Sequence, residues 1–205
     1  MTTLIIARHG NTFGPGDTPT RVGARTDLPL VESGRKQARA IGKFLKDNRM
    51  IPDVVYASEL ARAQETAKIA IRESGITNPV FTLDIFNEID YGPDENKPEE
   101  DVIARIGKDA LKDWNEKAIV PEGWKADPDR IIRHWIDFAD QVKAHDDNET
   151  VLVVTSNGIA RFAPHITGDF EGFIQNHGIK ISTGALCIFN FKDGNWIVRE
   201  WNLRP

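Results

Sequence analysis

Residues 3–12, Thr3-Leu4-Ile5-Ile6-Ala7-Arg8-His9-Gly10-Asn11-Thr12, decide the fold. A run of β-branched and apolar residues with no polar alternation describes a strand covered on both faces, the condition of a strand inside a parallel sheet. Parallel strands need crossover helices, and the chain supplies them. A helix is predicted from about Glu32 to Asn48, with Ala38, Ile41 and Leu45 on one face. Pro52 breaks it, and Val54–Ala57 is a second strand. Ser58 is read as the N-cap of a helix carrying Leu60, Ala63, Ala67, Ala70 and Ile71. Gly75 and Pro79 stop that helix before a third strand over Val80–Leu83. The alternation predicts an α/β fold, a three-layer α/β/α sandwich around a mostly parallel sheet.

From Gly92 to about Pro128 the chain becomes rich in charge, proline and tryptophan, with a helix around Glu99 to Trp114. This segment reads as a small helical insert leaning over one end of the sheet. Its tryptophans are expected to serve packing, with one candidate for a pocket wall. A helix over Asp129–His145, a strand over Val151–Val154 and a short helix holding Ile159, Phe162 and Ile166 follow. Asp193-Gly194, between two apolar segments, signals a closing hairpin. The expectation is one domain over residues 1–205.

At 205 residues the chain can bury roughly 70% of its unfolded surface without staples. The lone Cys187 sits in an apolar run, which excludes an intramolecular disulfide framework or a cysteine zinc site and suits a reducing, cytoplasmic compartment. A net charge of −5 argues against a general binder of nucleic acid or anionic membrane, and no apolar run reaches the ~18 residues of a membrane span. No metal or cofactor is expected. Oligomeric state is not readable, since the charged exterior allows monomer or dimer.

Ligands of open α/β sheets bind beyond the carboxyl ends of the strands. Arg8 and His9 follow the first strand, Ser58 and Arg62 the second, Glu88 the third, and Ser156, Asn157 and Gly158 the fourth. Paired guanidiniums suit phosphoryl oxygens. A histidine between two cations is kept neutral, as a nucleophile requires. The loop Phe13–Leu30 is long for a compact domain, which is expected of a loop that shapes a site.

Arg8-His9-Gly10-Asn11-Thr12 resembles the Arg-His-Gly-x-Thr signature of the histidine phosphatase superfamily, the phosphoglycerate-mutase-like proteins. The likeness extends in order through Thr26–Leu30, Gly34–Ala38, Ser58–Ala67, Glu88–Gly92, Val151–Gly158 and Ser182–Gly184. It implies that His9 attacks phosphorus and becomes phosphohistidine, while Arg8 and Arg62 hold the phosphoryl oxygens. Glu88 then protonates the leaving alcohol and deprotonates the hydrolytic water. Asn11, Thr12 and the backbones of Gly10 and Gly158 would orient the nucleophile or line the phosphate pocket.

Asn157 stands where the resemblance places a second histidine. An amide donates the same hydrogen bond without the charge, an expected loss of ~1–2 kcal/mol, or roughly 5- to 30-fold in rate. His177, in a loop near the last strands, is the candidate for a replacement cation. Where many relatives carry an asparagine after the signature, this chain has Pro15-Gly16, and Arg21 and Arg25 are the candidate substitutes. Of the other histidines, His134 and His145 are expected to face solvent and His165 to pack. The His145–Glu149 stretch reads as a solvated turn ahead of a metal site.

The reading these residues favour is a metal-independent phosphatase acting on a small phosphorylated substrate. A mutase, and a weakened relative that binds a phosphorylated ligand without turnover, are its alternatives.

Overall fold

The computed structural model describes residues 1–145 and 148–205. Asp146 and Asp147, central to the turn expected after His145, lie outside the described residues. Strands β1 (Thr3–Arg8), β2 (Val54–Ala57), β3 (Val80–Thr82) and β4 (Thr150–Thr155) run parallel, and β5 (Leu186–Lys192) and β6 (Asn195–Leu203) close the sheet antiparallel. The order is β3-β2-β4-β1-β5-β6. β4 thus separates β1 from β2, and the carboxyl ends of all four parallel strands open on the same edge.

The period of two along each strand divides the core. Ile5, Ala7, Val55, Ala57, Leu152 and Val154 pack with Ile41, Leu45, Ala63, Ala67 and Ala70 of α1 (Glu32–Asp47) and α2 (Ala61–Ser74). Leu4, Ile6, Val151, Val153, Cys187 and Phe189 belong to the opposite face. There they share a cluster with Trp135, Phe138 and Val142 of α4 (Pro128–His145) and Trp114 of α3 (Glu99–Lys117). Each fully buried aliphatic side chain contributes about 1.5–3 kcal/mol. The three-layer, mostly parallel architecture is the one expected. Among the described residues no helix is long and apolar enough to cross a membrane.

Two local expectations are corrected, and two features add to those expected. Ser58 does not cap α2: its N-cap is Leu60, and the orphan N–H of Ala61 donates to Asp27 Oδ1 at 2.8 Å, a cap supplied from the loop after β1. The helix expected to hold Ile159, Phe162 and Ile166 is broken into α5 (Asn157–Ala160) and a 3₁₀ turn (Ala163–Thr167). Pro164 has no N–H to continue the α-helical ladder. An unexpected helix, α6 (Phe170–His177), follows, capped by Asp169 Oδ1 accepting from Gly172 N at 2.9 Å. Finally, α3 runs past Trp114 to Lys117 and is kinked at Gly107, where φ is 84°.

The insert is pinned by a buried carboxylate. Asp94 accepts from Arg105 Nε and Trp124 Nε1, each at 2.6 Å, and the hydrogen bonds hold its carboxyl below the usual range although burial alone would raise it. An isolated bridge between Thr20 and Pro98 ties the insert to the Phe13–Leu30 loop. Trp114, Trp124 and Trp135 are all buried, and none lines the cavity described next.

Candidate active site

β1 delivers Arg8 and His9 to the open edge of the sheet. His9 is 6% exposed. Its Nδ1 lies 2.8 Å from the Gly10 carbonyl oxygen, which can only accept, so Nδ1 carries the proton. Nε2 is left with its lone pair and accepts from Arg62 Nε at 3.2 Å. Burial, then the charges of Arg8 and Arg62, hold the imidazole well below its ordinary value, outweighing the Gly10 carbonyl. The ring is therefore neutral at pH 7.

Gly10 serves this geometry through its carbonyl. Its N–H is taken by Thr66 Oγ1 at 3.1 Å, so it does not present a donor to a phosphate. A side chain there is impossible, because a Cβ would fall 2.4 Å from the Gly34 carbonyl oxygen.

Arg62, fully buried, stands behind His9. Besides His9 it donates to Thr26 O at 2.8 Å and Gly23 O at 3.2 Å, and Asp27 lies 3.8 Å away. Arg8 Nη1 donates to Ile181 O at 2.7 Å. Burial lowers both guanidiniums, opposed first by the charge of Glu88.

Glu88 is buried, not solvated. Its Oε1 accepts from Ile89 N at 3.0 Å, and its Oε2 from Gly158 N at 3.0 Å and Tyr91 Oη at 3.2 Å. Gly158 thus holds the carboxyl in place of binding phosphate, and a Cβ on it would lie 2.2 Å from Glu88 Oε1. Burial and the nearby Glu88 charge push the Tyr91 phenol up, so it remains a donor.

Asn157 is the first residue of α5, and Ser156 is its N-cap. The Asn157 Oδ1 accepts from Ile181 N at 3.0 Å, which leaves its NH₂ as the free end of the amide.

Several of these groups border one cavity of about 420 Å³, whereas Arg62, Gly10 and Gly158 lie behind its wall. Arg8, His9, Asn11, Thr12, Glu88 and Asn157 line it together, with Phe13, Val22, Arg21, Tyr91 and Lys97 among its other walls. Asn11 is fixed from several sides: its N–H donates to Gln37 Oε1 at 2.8 Å, its Nδ2 to Ser33 Oγ at 3.3 Å, and its Oδ1 accepts from Thr183. Arg21 reaches the cavity, lying 5.3 Å from the Tyr91 ring centre and 5.0 Å from that of Trp124. Arg25 does not. It is spent on Asp90 Oδ1 at 3.1 Å and Gly92 O at 2.7 Å. His177 does not either, being exposed and stacked on Phe173 at 5.0 Å. His134 is half-buried, and His165 stacks on Phe170 at 3.7 Å.

Sequence reasoning misses three residues of this neighbourhood. Tyr91 and Thr183 lie within recognisable stretches but carry no role there. Arg161 gives no signal at all. It is 1% exposed, with its guanidinium 3.9 Å from the Trp114 ring centre, and burial pulls its pKa down to about 10.

A family model described as histidine phosphatase superfamily (branch 1) matches residues 4–204. The chain is similar to an uncharacterized phosphatase of Bacillus subtilis, 26% identical over 203 residues and covering 99% of this chain and 95% of the relative. It is also similar to phosphoglycerate mutase 1 of Saccharomyces cerevisiae, 28% identical over 238 residues and covering 100% and 90%. Among solved structures, a mycobacterial glucosyl-3-phosphoglycerate phosphatase complexed with VO3 superposes with a TM-score of 0.80 at 21% identity, covering 99% and 100% of the two chains. That likeness speaks for the fold. With a match that spans nearly its whole length, the chain belongs to the histidine phosphatase superfamily, branch 1, and is an enzyme of phosphoryl transfer.

Proposed function

We propose that the protein hydrolyses a small phosphomonoester through a phosphohistidine on His9. The observation that carries this reading is the Nδ1–H to Gly10 carbonyl bond of 2.8 Å, which leaves the Nε2 lone pair of a neutral imidazole at the wall of the Glu88 cavity. In the first step Arg62 Nε gives up its hydrogen bond to Nε2, and the freed lone pair forms a bond to phosphorus. The bond from phosphorus to the ester oxygen breaks, and the alcohol leaves with a proton from Glu88. In the second step water attacks phosphorus, Glu88 takes a proton from it, and the nitrogen–phosphorus bond breaks to release phosphate. Arg8, Arg62 and the Asn157 amide are suited to the charge spread over the equatorial oxygens. Thr12 and Asn11 border the same space.

His9→Ala tests this directly. With p-nitrophenyl phosphate the variant is expected to lose turnover, and acid-labile labelling of the protein is expected to vanish with it. Retained activity would remove His9 from the mechanism. A substrate panel separates the alternatives: free phosphate marks hydrolysis, an isomeric phosphate ester marks a mutase, and saturable phosphate binding with an inert wild type marks a binding protein.

A further inference from the structure

Arg161 is a buried guanidinium that no carboxylate among the described residues contacts within ion-pair distance. An unpaired charge in a protein interior is costly and persists only where something answers it. Two carbonyls and a ring answer part of it. Arg161 Nε donates to Asn157 O at 3.2 Å and Nη1 to Trp114 O at 2.5 Å, while its plane rests over the Trp114 ring. Arg161 does not itself line the cavity but stands behind its wall, bonded to Asn157, which does, and the charges of Glu88, Arg8 and Arg21 lie within its field.

The two carbonyls belong to different parts of the molecule. Asn157 opens α5 at the end of β4, and Trp114 lies near the end of α3 in the insert. The planar fork of a guanidinium bridges them in fixed geometry. From Asn157 the chain passes at once to Gly158, whose N–H holds Glu88. From Trp114 the packing passes through Trp124 at 5.2 Å to Tyr91 at 4.7 Å, whose hydroxyl also holds Glu88. Both routes end on the same carboxyl.

We infer that Arg161 is a positioning residue for phosphoryl transfer. It locks the Asn157–Gly158 turn to the insert so that Glu88 keeps its orientation, and it supplies a buried positive charge that the phosphoryl dianion balances. The role in turnover rests on the hydrolytic reading above; the role in anion binding does not.

Arg161→Met removes both charge and fork, whereas Arg161→Lys keeps the charge and loses the fork. Inorganic phosphate, titrated calorimetrically, is expected to bind Arg161→Met roughly 10-fold or more weakly than wild type, and Arg161→Lys within about 3-fold. With p-nitrophenyl phosphate, Arg161→Lys is expected to lose about 10-fold in kcat with KM little changed, the signature of a misaligned carboxyl. Unchanged phosphate affinity in a folded Arg161→Met, or wild-type kcat in Arg161→Lys, would overturn the assignment. Should Arg161→Met fail to fold, the kcat against KM split in Arg161→Lys decides. If wild type turns over no phosphomonoester, the hydrolytic reading fails while the phosphate titrations still test Arg161.

Discussion

Arg62 Nε sits 3.2 Å from His9 Nε2, and this contact fixes the tautomer of the histidine. A guanidinium has only donors, so the facing nitrogen must present a lone pair. The Gly10 carbonyl imposes the same tautomer from the other side of the ring. Two independent hydrogen bonds therefore select one neutral form of the imidazole, in a setting where burial and two cations already oppose its protonation.

A pH dependence follows with a definite sign. The unfolded histidine titrates near 6.5, while the folded one titrates well below that. As pH falls through about 6.5 the unfolded chain gains a proton that the folded site refuses, so His9 lowers stability progressively toward its folded value. Urea midpoints at pH 7.5 and 5 are expected to differ more for wild type than for His9→Asn. The acid limb of kcat/KM is expected well below the ordinary histidine value of about 6.5; a limb at or above that value would contradict the buried, neutral ring.

Gly158→Ala places a methyl group against Glu88 Oε1, at 2.2 Å before relaxation. The carboxyl must give way. A displacement on the order of 1 Å costs about 100-fold in rate when a proton donor is involved. The expected outcome is a kcat lower by about that factor, with KM within about 3-fold and near-normal folding by circular dichroism.

Asn157→Asp separates shape from charge. The substituted carboxylate keeps an oxygen for the Ile181 N–H but exchanges the amide donor for a negative group at the cavity wall. Phosphate affinity is expected to fall at least ~30-fold while the melting temperature stays within about 2 °C. A variant that binds phosphate as wild type does would show that the amide end does not meet the anion.

Asp94→Ala probes the insert. It leaves the buried Trp124 Nε1–H without its acceptor and Arg105 without its carboxylate. An orphaned buried donor costs about 1–3 kcal/mol, and the lost charged hydrogen bonds add to it. A fall of about 5–10 °C in melting temperature is expected. KM is expected to rise as well, since Lys97 and Glu99 of the insert border the cavity.

The β1-α1-β2-α2-β3 half of the fold is legible because its signals are local: unbroken apolar strands, and helices with a single apolar stripe. Where capping or burial is tertiary, the local signal misleads. Ser58 has the chemistry of a cap, yet Asp27, more than 30 residues earlier, takes the role. Arg25 and Arg21 lie four residues apart in the same loop, and nothing in their chemistry says that Asp90 claims the first while the second turns to the cavity. Gly10 and Gly158 look like phosphate-loop glycines; their donors are in fact spent on Thr66 and Glu88. Arg161 is invisible in the sequence for the plainest reason, since an arginine four residues into a helical stretch ordinarily faces water. The cap of α6 is readable in Asp169 and Gly172, but the helix behind it is too short for its periodicity to stand out.

Arg62 grips the loop before α1 mainly through main-chain oxygens, those of Gly23 and Thr26. A grip of that kind is blind to side-chain identity. Position 22, which faces the cavity, is therefore open to rewriting by mutation without loosening the hold on His9, whereas Arg21, laid against the Tyr91 that holds Glu88, is not.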